Sequence, residues 1–121
     1  MAAAKDAVGA YGERVAAMML TQAGLEVLER NWRCPEGELD IVARDPAADE
    51  IVFVEVKTRS SARFGHPAEA VVGRKAARLR RLAAAWLAAH DEHAAGVRID
   101  VVAVWPQPSG PARVEHLRAV V

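Results

Sequence analysis

One short stretch of the chain, from Gly37 to Lys57, constrains the possible fold more than any other part. It reads GELDIVARDPAADEIVFVEVK and contains two runs of strand-forming residues, about Glu38–Arg44 and Ile51–Thr58. The short polar connection between the two runs predicts a pair of antiparallel strands. Acidic and basic side chains interrupt both runs at positions where a buried strand would be apolar. We therefore expect a sheet that carries a cluster of charges beside its buried residues.

The charged side chains of this strand pair are expected to meet on one face. With a connection that spans Asp45–Glu50, a symmetric ladder sets Asp40 opposite Glu55. The same ladder sets Glu38 opposite Lys57. Two directly opposed carboxylates repel each other, and a cation that prefers hard oxygen ligands, Mg²⁺ or Mn²⁺, relieves this repulsion. The pattern indicates a metal-dependent phosphodiesterase site in which Lys57 holds a phosphate or polarises a water.

Plainer interpretations exist for these and other reactive residues. The same four charges also fit a solvated hairpin face on which they neutralise one another. His90 and His93, three residues apart near a predicted helix end, would suit a transition metal, although a helix C-terminus favours histidines in any case. Cys34 has no histidine or acid arranged nearby in sequence that would make it a nucleophile, so we expect a structural role.

The length and composition of the chain bound its class. With 121 residues it is long enough for one hydrophobic core, so we expect a single domain over residues 1–121. A single cysteine, Cys34, excludes an intrachain disulfide and fits a reducing cytoplasm. The first residues lack the apolar run of a signal peptide, and no later stretch has the length of a membrane span. We therefore expect a cytoplasmic protein without a membrane partner.

Positive charge is concentrated in one part of the chain, although the formal net charge is zero. Eight basic residues and a single acid, Glu69, lie in this block. The basic residues are Lys57, Arg59, Arg63, Arg74, Lys75, Arg78, Arg80 and Arg81. Such a block, which begins at the candidate lysine and continues into a helix, would attract a polyanion such as nucleic acid. An ordinary solvated helix face gives the same pattern.

The rest of the sequence places these features in the α/β class. Apolar residues at three- and four-residue spacing predict helices over about Asp6–Ala23 and Ala68–His90. Strands are predicted over about Leu25–Arg30, Glu38–Arg44, Ile51–Thr58, Val97–Trp105 and Arg113–Val120, with loops over Asn31–Glu36 and Arg59–Pro67. The order αβββαββ predicts a central mixed β-sheet of about five strands flanked by helices. The predicted inner stripe of the first helix is Val8, Tyr11, Val15, Met18, Met19 and Gln22.

Several spaced motifs form a pattern that covers nearly the whole chain. They are Gly12-Glu13, Asn31 with Arg33, GELDIV, FVEVKTR, FGHPAEAV, and Lys75 with Arg78-Leu79. In these motifs the chain resembles the YraN-like family of uncharacterised bacterial proteins. That family is in turn similar to the PD-(D/E)XK nuclease superfamily, and in size and layout most similar to archaeal-type Holliday junction resolvases.

The resemblance implies a restriction-endonuclease-like core and a defined set of site residues. Asp40 matches the metal-binding aspartate of the superfamily, Glu55 its second carboxylate, and Lys57 the lysine of its E-x-K motif. Glu13 matches the helical glutamate that many members carry near the metal. The chain departs from the superfamily pattern at Leu39, where a proline gives the superfamily its name.

The implied chemistry is a Mg²⁺- or Mn²⁺-dependent hydrolysis of phosphodiesters. Asp40 and Glu55 would bind the ion together with the backbone carbonyl of Val56, and Glu13 would bind it through water or recruit a second ion. Glu38 is an additional acid, either a spare ligand or a salt-bridge partner of Lys57.

The implied partner is structured or branched DNA. Flanking phosphates would be contacted by Arg59, Arg74, Lys75, Arg78 and Arg81. A homodimer is expected because resolvases cut two strands and a single small domain offers one active site. The alternatives are a nucleic-acid-binding module that turns over slowly or not at all, and an adaptor of DNA processing with the same fold.

Overall fold

The elements of the chain follow the predicted order αβββαββ. The structure, a computed structural model, describes residues 4–59 and 73–121. Helices α1 and α2 span Ala4–Gln22 and Gly73–Ala89, and the strands are β1 (Glu26–Cys34), β2 (Gly37–Asp45), β3 (Glu50–Thr58), β4 (Gly96–Trp105) and β5 (Arg113–Leu117). They form one sheet in the order β1-β2-β3-β4-β5. The β3–β4 pair is parallel and the others are antiparallel, which confirms the predicted mixed sheet and is consistent with a restriction-endonuclease-like core.

The predicted loop at Asn31–Glu36 is largely wrong. Strand β1 continues through Cys34, and two residues, 35 and 36, connect it to β2. The polar composition is misleading because β1 is an edge strand, where charged side chains are tolerated, while Trp32 and Cys34 still pack on the core. Beyond Arg59, the predicted loop and the predicted helix start at Ala68 lie outside the described residues.

Helix α1 covers one face of the sheet through small side chains. Gly12, Ala16 and Leu20 recur every four residues and are buried, the last two against apolar residues of β2, β3 and β4. Met18 is 62% exposed and Val8 is 48% exposed, so their predicted place in the core stripe is wrong. The reason is that a glycine and an alanine let the helix approach the sheet closely, whereas a count of bulky residues favours a different face.

Helix α2 covers the opposite face, so the sheet lies between two helical layers. Leu79, Leu82 and Trp86 are buried against the sheet, as their spacing predicts. The ring of Trp86 meets that of Phe53 edge to face, with centroids 5.7 Å apart. Neither of the described helices has an apolar stretch of the length needed to cross a lipid bilayer.

The two central strands, β2 and β3, pair along only part of their lengths. Their ladder has the predicted register and ends at the pair Ile41–Val54. Beyond it, residues 37–39 of β2 pair with β1, and residues 55–58 of β3 pair with β4. The strands therefore separate, and we call the opening between residues 37–40 and 55–58 the fork.

The opposite end of the same strands is held by Arg98, whose side chain is 8% exposed. Its Nε lies 2.9 Å from Asp100 Oδ1, and its Nη1 lies 2.9 Å from both Asp45 Oδ2 and Glu50 Oε1. Asp100 also accepts the backbone N–H of Ala119 at 2.9 Å. These contacts join β2, β3 and β4, and we call them the Arg98 clamp. Asp100, which interrupts an otherwise apolar strand, is thus paired with Arg98.

Removing the central cation of the Arg98 clamp should destabilise the protein strongly. In Arg98→Met, Asp45 and Asp100 keep buried charges without their main partner, and we expect a loss of about 3–5 kcal/mol in the free energy of unfolding. Arg118→Met is the matched control, because Arg118 is 52% exposed and 3.9 Å from Asp45, and should cost less than about 1 kcal/mol. Urea unfolding measures the free energy of unfolding of both variants. Equally small losses in the two would contradict the central role of Arg98 in the clamp.

Candidate functional site

Asp40 lies where the fork begins, and its side chain takes the place of a missing backbone acceptor in the sheet. Its Oδ2 accepts the backbone N–H of Val56 at 2.8 Å. Leu39 packs in the core under α2 whereas Ile41 packs in the core under α1, so the alternation of side chains along β2 breaks at Asp40. On the neighbouring strand, Asn31 has a left-handed φ of 54°. Both strands are thus irregular at the fork.

Three carboxylates meet beside this irregularity. Glu13 of α1 and Glu38 and Asp40 of β2 each offer an oxygen within 4.8 Å of the others. Within the described ranges, no other three acidic, histidine or cysteine side chains form such a group. With its Nδ2 turned toward the acids, Asn31 donates to Glu13 Oε2 at 2.7 Å and to Glu38 Oε1 at 3.1 Å. We call Glu13, Glu38 and Asp40 the acid cluster.

Glu38 does not have the partner that a continued ladder predicts. It forms a salt bridge with Arg33, at 3.0 Å from Nε to Oε2, and these two residues face each other in the β1–β2 register. Lys57 instead contacts Glu55, at 3.4 Å from Nζ to Oε1. The predicted Glu38–Lys57 opposition is wrong because β2 and β3 have separated at this point.

The acid cluster holds more negative charge than its surroundings favour. Burial and, after it, the nearby carboxylate of Glu55 raise the pKa of Asp40 to about 7, although the N–H of Val56 opposes them. Burial and the charge of Glu38 also raise the pKa of Glu13. A bound cation would remove this penalty, so the electrostatics of the site favour a positively charged ligand.

Helix α1 holds Glu13 in the cluster because its neighbour, Gly12, has no side chain. A Cβ at Gly12 would overlap the hydroxyl of Thr58 and lie 3.1 Å from Thr58 Cβ. Since Thr58 is the last residue of β3, this approach places the helix against the end of the fork. Glu13 thereby reaches Asp40 from a different element, which spacing along the sequence alone does not reveal.

Two lysines lie on the other side of Asp40, at Glu55. Lys57 of β3 and Lys75 of α2 both contact Glu55 Oε1, at 3.4 Å and 3.3 Å from their Nζ atoms. Glu55 is 13% exposed. Burial and the proximity of Lys75 lower the pKa of Lys57, although the charge of Glu55 opposes them. Acids and bases thus occupy adjacent parts of the fork.

The donor atoms of the acid cluster fit a divalent metal ion. Mg²⁺ and Mn²⁺ prefer carboxylate oxygens, and the three clustered oxygens are close enough to share one ion. Of the predicted ligands, Glu13 and Asp40 belong to the cluster. Glu55 lies outside it but near enough to raise the pKa of Asp40. Glu38 is the additional donor.

The basic residues predicted to contact phosphates occupy different positions in the fold. Arg74, Arg78 and Arg81 are exposed on α2. Lys75 is turned inward and contacts Glu55. Arg59 follows the last residue of β3, and its backbone N–H donates to the carbonyl of Val104 at 2.8 Å. The three arginines are thus available to a large ligand, whereas Lys75 belongs to the fork.

The two histidines considered as a metal pair have separate partners. His90 Nε2 lies 2.9 Å from Glu29 Oε1, and the His90 ring stacks on Trp86 with centroids 4.1 Å apart. His93 Nε2 lies 3.0 Å from Asp91. The His90 contact with Glu29 joins the end of α2 to β1, whereas the His93–Asp91 pair is local and exposed.

Sequence reasoning missed the supporting role of Asn31, which joins two acids of the cluster. The residue was expected in a loop, although it forms part of β1. An asparagine between strand-forming residues is a usable signal, because asparagine tolerates a left-handed backbone better than most residues. Its amide is then a compact donor for two carboxylates.

The pKa of Asp40 predicts a pH dependence of stability in the metal-free protein. A folded-state pKa of about 7, against an ordinary value of 3.8, means that the folded protein holds an extra proton between these pH values. The free energy of unfolding should therefore fall as pH rises through that window, by on the order of 4 kcal/mol. Urea unfolding in EDTA should show this component in wild type and not in Asp40→Asn. Identical pH slopes in the two proteins would refute it.

The contact at Gly12 predicts opposite effects for two similar substitutions. Gly12→Ala should destabilise the protein by about 1–3 kcal/mol, because the added methyl overlaps Thr58. Gly9→Ala, three residues earlier in α1, meets nothing within 4 Å and should stabilise the helix by about 0.5–1 kcal/mol. Thermal unfolding compares the two variants. If Gly12→Ala stabilised the protein, α1 would not depend on the close contact between Gly12 and Thr58.

Several proteins of known source are similar to this chain over nearly its whole length. A UPF0102 protein of Beutenbergia cavernae is 70% identical over 117 residues, which cover 97% of this chain and 98% of the relative. One from Frankia alni is 63% identical over 115 residues, covering 95% and 94%. One from Mycobacterium sp. (strain KMS) is 54% identical over 116 residues, covering 96% and 86%. The family described as "Uncharacterised protein family UPF0102" matches residues 12–104. The chain therefore belongs to the uncharacterised protein family UPF0102.

Proposed function

We propose that this protein is a Mg²⁺- or Mn²⁺-dependent endonuclease of the PD-(D/E)XK type that cuts structured or branched DNA. The observation that carries the proposal is the position of Asp40 in the fork. There its carboxylate meets those of Glu13 and Glu38 and lies near that of Glu55, which contacts Lys57. Carboxylates beside a lysine, at an opening in a sheet, are the groups that metal-assisted phosphodiester hydrolysis needs.

The fold supports this assignment. The order αβββαββ and a five-stranded mixed sheet between two helices are consistent with a restriction-endonuclease-like core. Asp40 and Glu55 come from the two strands that separate, and Glu13 comes from α1. The resemblance of the E-x-K motif to that of the nuclease superfamily agrees with this placement.

The residues of the fork would divide the work of hydrolysis. Glu13, Asp40 and Glu38 or Glu55 would hold the divalent cation, which supplies Lewis acidity and lowers the pKa of a bound water. The N–H of Val56 fixes the orientation of the Asp40 carboxylate. Lys57, at the edge of the fork, would stabilise the negative charge that develops on the phosphate oxygens.

The exposed arginines of α2 would bind the remainder of the DNA. Arg74, Arg78 and Arg81 lie on the helix that carries Lys75 to the fork. Arginines at such positions contact phosphates and orient a duplex without reading its sequence. The acid cluster alone would repel DNA, so binding is expected to depend on a divalent cation. Cutting of two strands would require a homodimer, since each chain supplies one fork.

The test is cleavage of a panel of labelled DNAs with Mg²⁺ or Mn²⁺: a four-way junction, a flap, a duplex and a single strand. Wild type is compared with Asp40→Asn and Lys57→Met. Asp49→Asn is the matched control, because Asp49 lies in the exposed β2–β3 turn with a φ of 52° that asparagine tolerates. We expect the two fork variants to lose about 10²- to 10³-fold in rate and the control to retain full activity.

Three results would refute the nuclease proposal. Cleavage that is undiminished in Asp40→Asn would place the activity elsewhere or in a contaminant. A folded wild type that binds the junction without cutting any DNA would indicate a binding module. A wild type without salt-sensitive DNA affinity would indicate an adaptor.

A further inference from the structure

The cations of this chain are unevenly divided between two residue types. The chain has three lysines and thirteen arginines. Two of the lysines, Lys57 and Lys75, meet at a single atom, Glu55 Oε1. An ammonium group is a compact, strongly hydrated charge that approaches a ligand as a point, whereas a guanidinium binds as a planar fork. The use of lysine rather than arginine at both positions beside Glu55 therefore points to a requirement for two compact charges.

Lys75 differs in position from the arginines next to it in sequence. Arg74 and Arg78 are exposed, whereas the Lys75 side chain is 30% exposed. It continues the buried stripe of α2, four residues before Leu79 and seven before Leu82. Its stem is thus directed at the sheet, and its ammonium group reaches the fork rather than the outer surface where a duplex would lie.

The pairing at Glu55 leaves an excess of positive charge. Lys57 alone is sufficient to balance the carboxylate, and Lys75 brings a second charge to the same oxygen. Lys75 also lies in the first turn of α2, where the helix dipole disfavours a cation. A salt bridge that only held α2 against β3 would need one lysine at Glu55. A bound monoanion would balance the charge of the second lysine.

We infer that Lys75 is a second phosphate-binding lysine of the fork, which together with Lys57 holds the scissile phosphodiester. This inference rests on the proposed nuclease function and replaces the expectation that Lys75 contacts flanking backbone. When a phosphate enters, its oxygens take ammonium contacts now made to Glu55, and the Glu55 carboxylate stays between the two lysines and Asp40. The exposed arginines keep the task of binding the flanking DNA.

The test separates binding of the whole DNA from events at the scissile phosphate. Lys75→Met keeps most of the buried stem and removes the charge, and Arg78→Met makes the same change one turn along on the exposed face. Each is assayed for junction affinity at several salt concentrations with Ca²⁺, a divalent cation that also takes carboxylate ligands, in place of Mg²⁺. Each is also assayed for single-turnover cleavage at saturating protein with Mg²⁺, and for melting temperature. Lys75→Met should cut at least about 30-fold more slowly at saturation, with a dissociation constant within about threefold of wild type. Arg78→Met should weaken binding and reduce its salt dependence, with an unchanged rate at saturation.

Three outcomes would overturn the inference. If Lys75→Met behaves like Arg78→Met, the lysine is a backbone contact and the proposed nuclease function stands. If its slower cleavage follows a lower melting temperature and recovers on cooling, the lysine is a structural tether and the function again stands. If wild type cuts none of the DNAs, the inference fails together with the function on which it rests.

Discussion

The architecture of this protein depends on a change of partner at one backbone amide. Where β2 and β3 part, the N–H of Val56 bonds to the carboxylate of Asp40 rather than to a carbonyl of the neighbouring strand. A partly buried N–H without any acceptor would cost about 1–3 kcal/mol, so two central strands separate readily only where a side chain supplies one. The same carboxylate meets Glu13 and Glu38. The contact that permits the opening therefore also assembles the acids around it.

The opening combines two kinds of electrostatic imbalance. On one side, acids crowd together until burial and mutual repulsion raise the pKa of Asp40 to about 7. On the other, two ammonium groups share one oxygen of Glu55. A cation and a phosphate bound side by side would compensate both at once, and neither ligand alone would do so. Such a pair of ligands would account for Glu38 and Asp40 on β2 and for Glu55 and Lys57 on β3, charges that packing of the sheet does not require.

Much of the fold follows from the sequence, and only part of the site does. The strand runs around Ile41 and Val54 give the class, the element order and the register of the central pair. They do not show where two strands stop pairing, because apolar alternation looks the same on both sides of a fork. The sequence around Asn31 predicts a loop because polar edge strands resemble loops. A charge count groups Lys75 with its arginine neighbours, because it ignores the position of each residue around the helix.

The Arg98 clamp and the fork occupy opposite ends of β2 and β3. Arg98 fixes the strands beside their connecting turn through Asp45 and Glu50, and the other ends diverge around Asp40. Residues that maintain the fold are therefore largely distinct from residues that would carry the chemistry. Substitutions in the fork can therefore change which metal or phosphate ester would bind there, while the Arg98 clamp keeps the sheet folded.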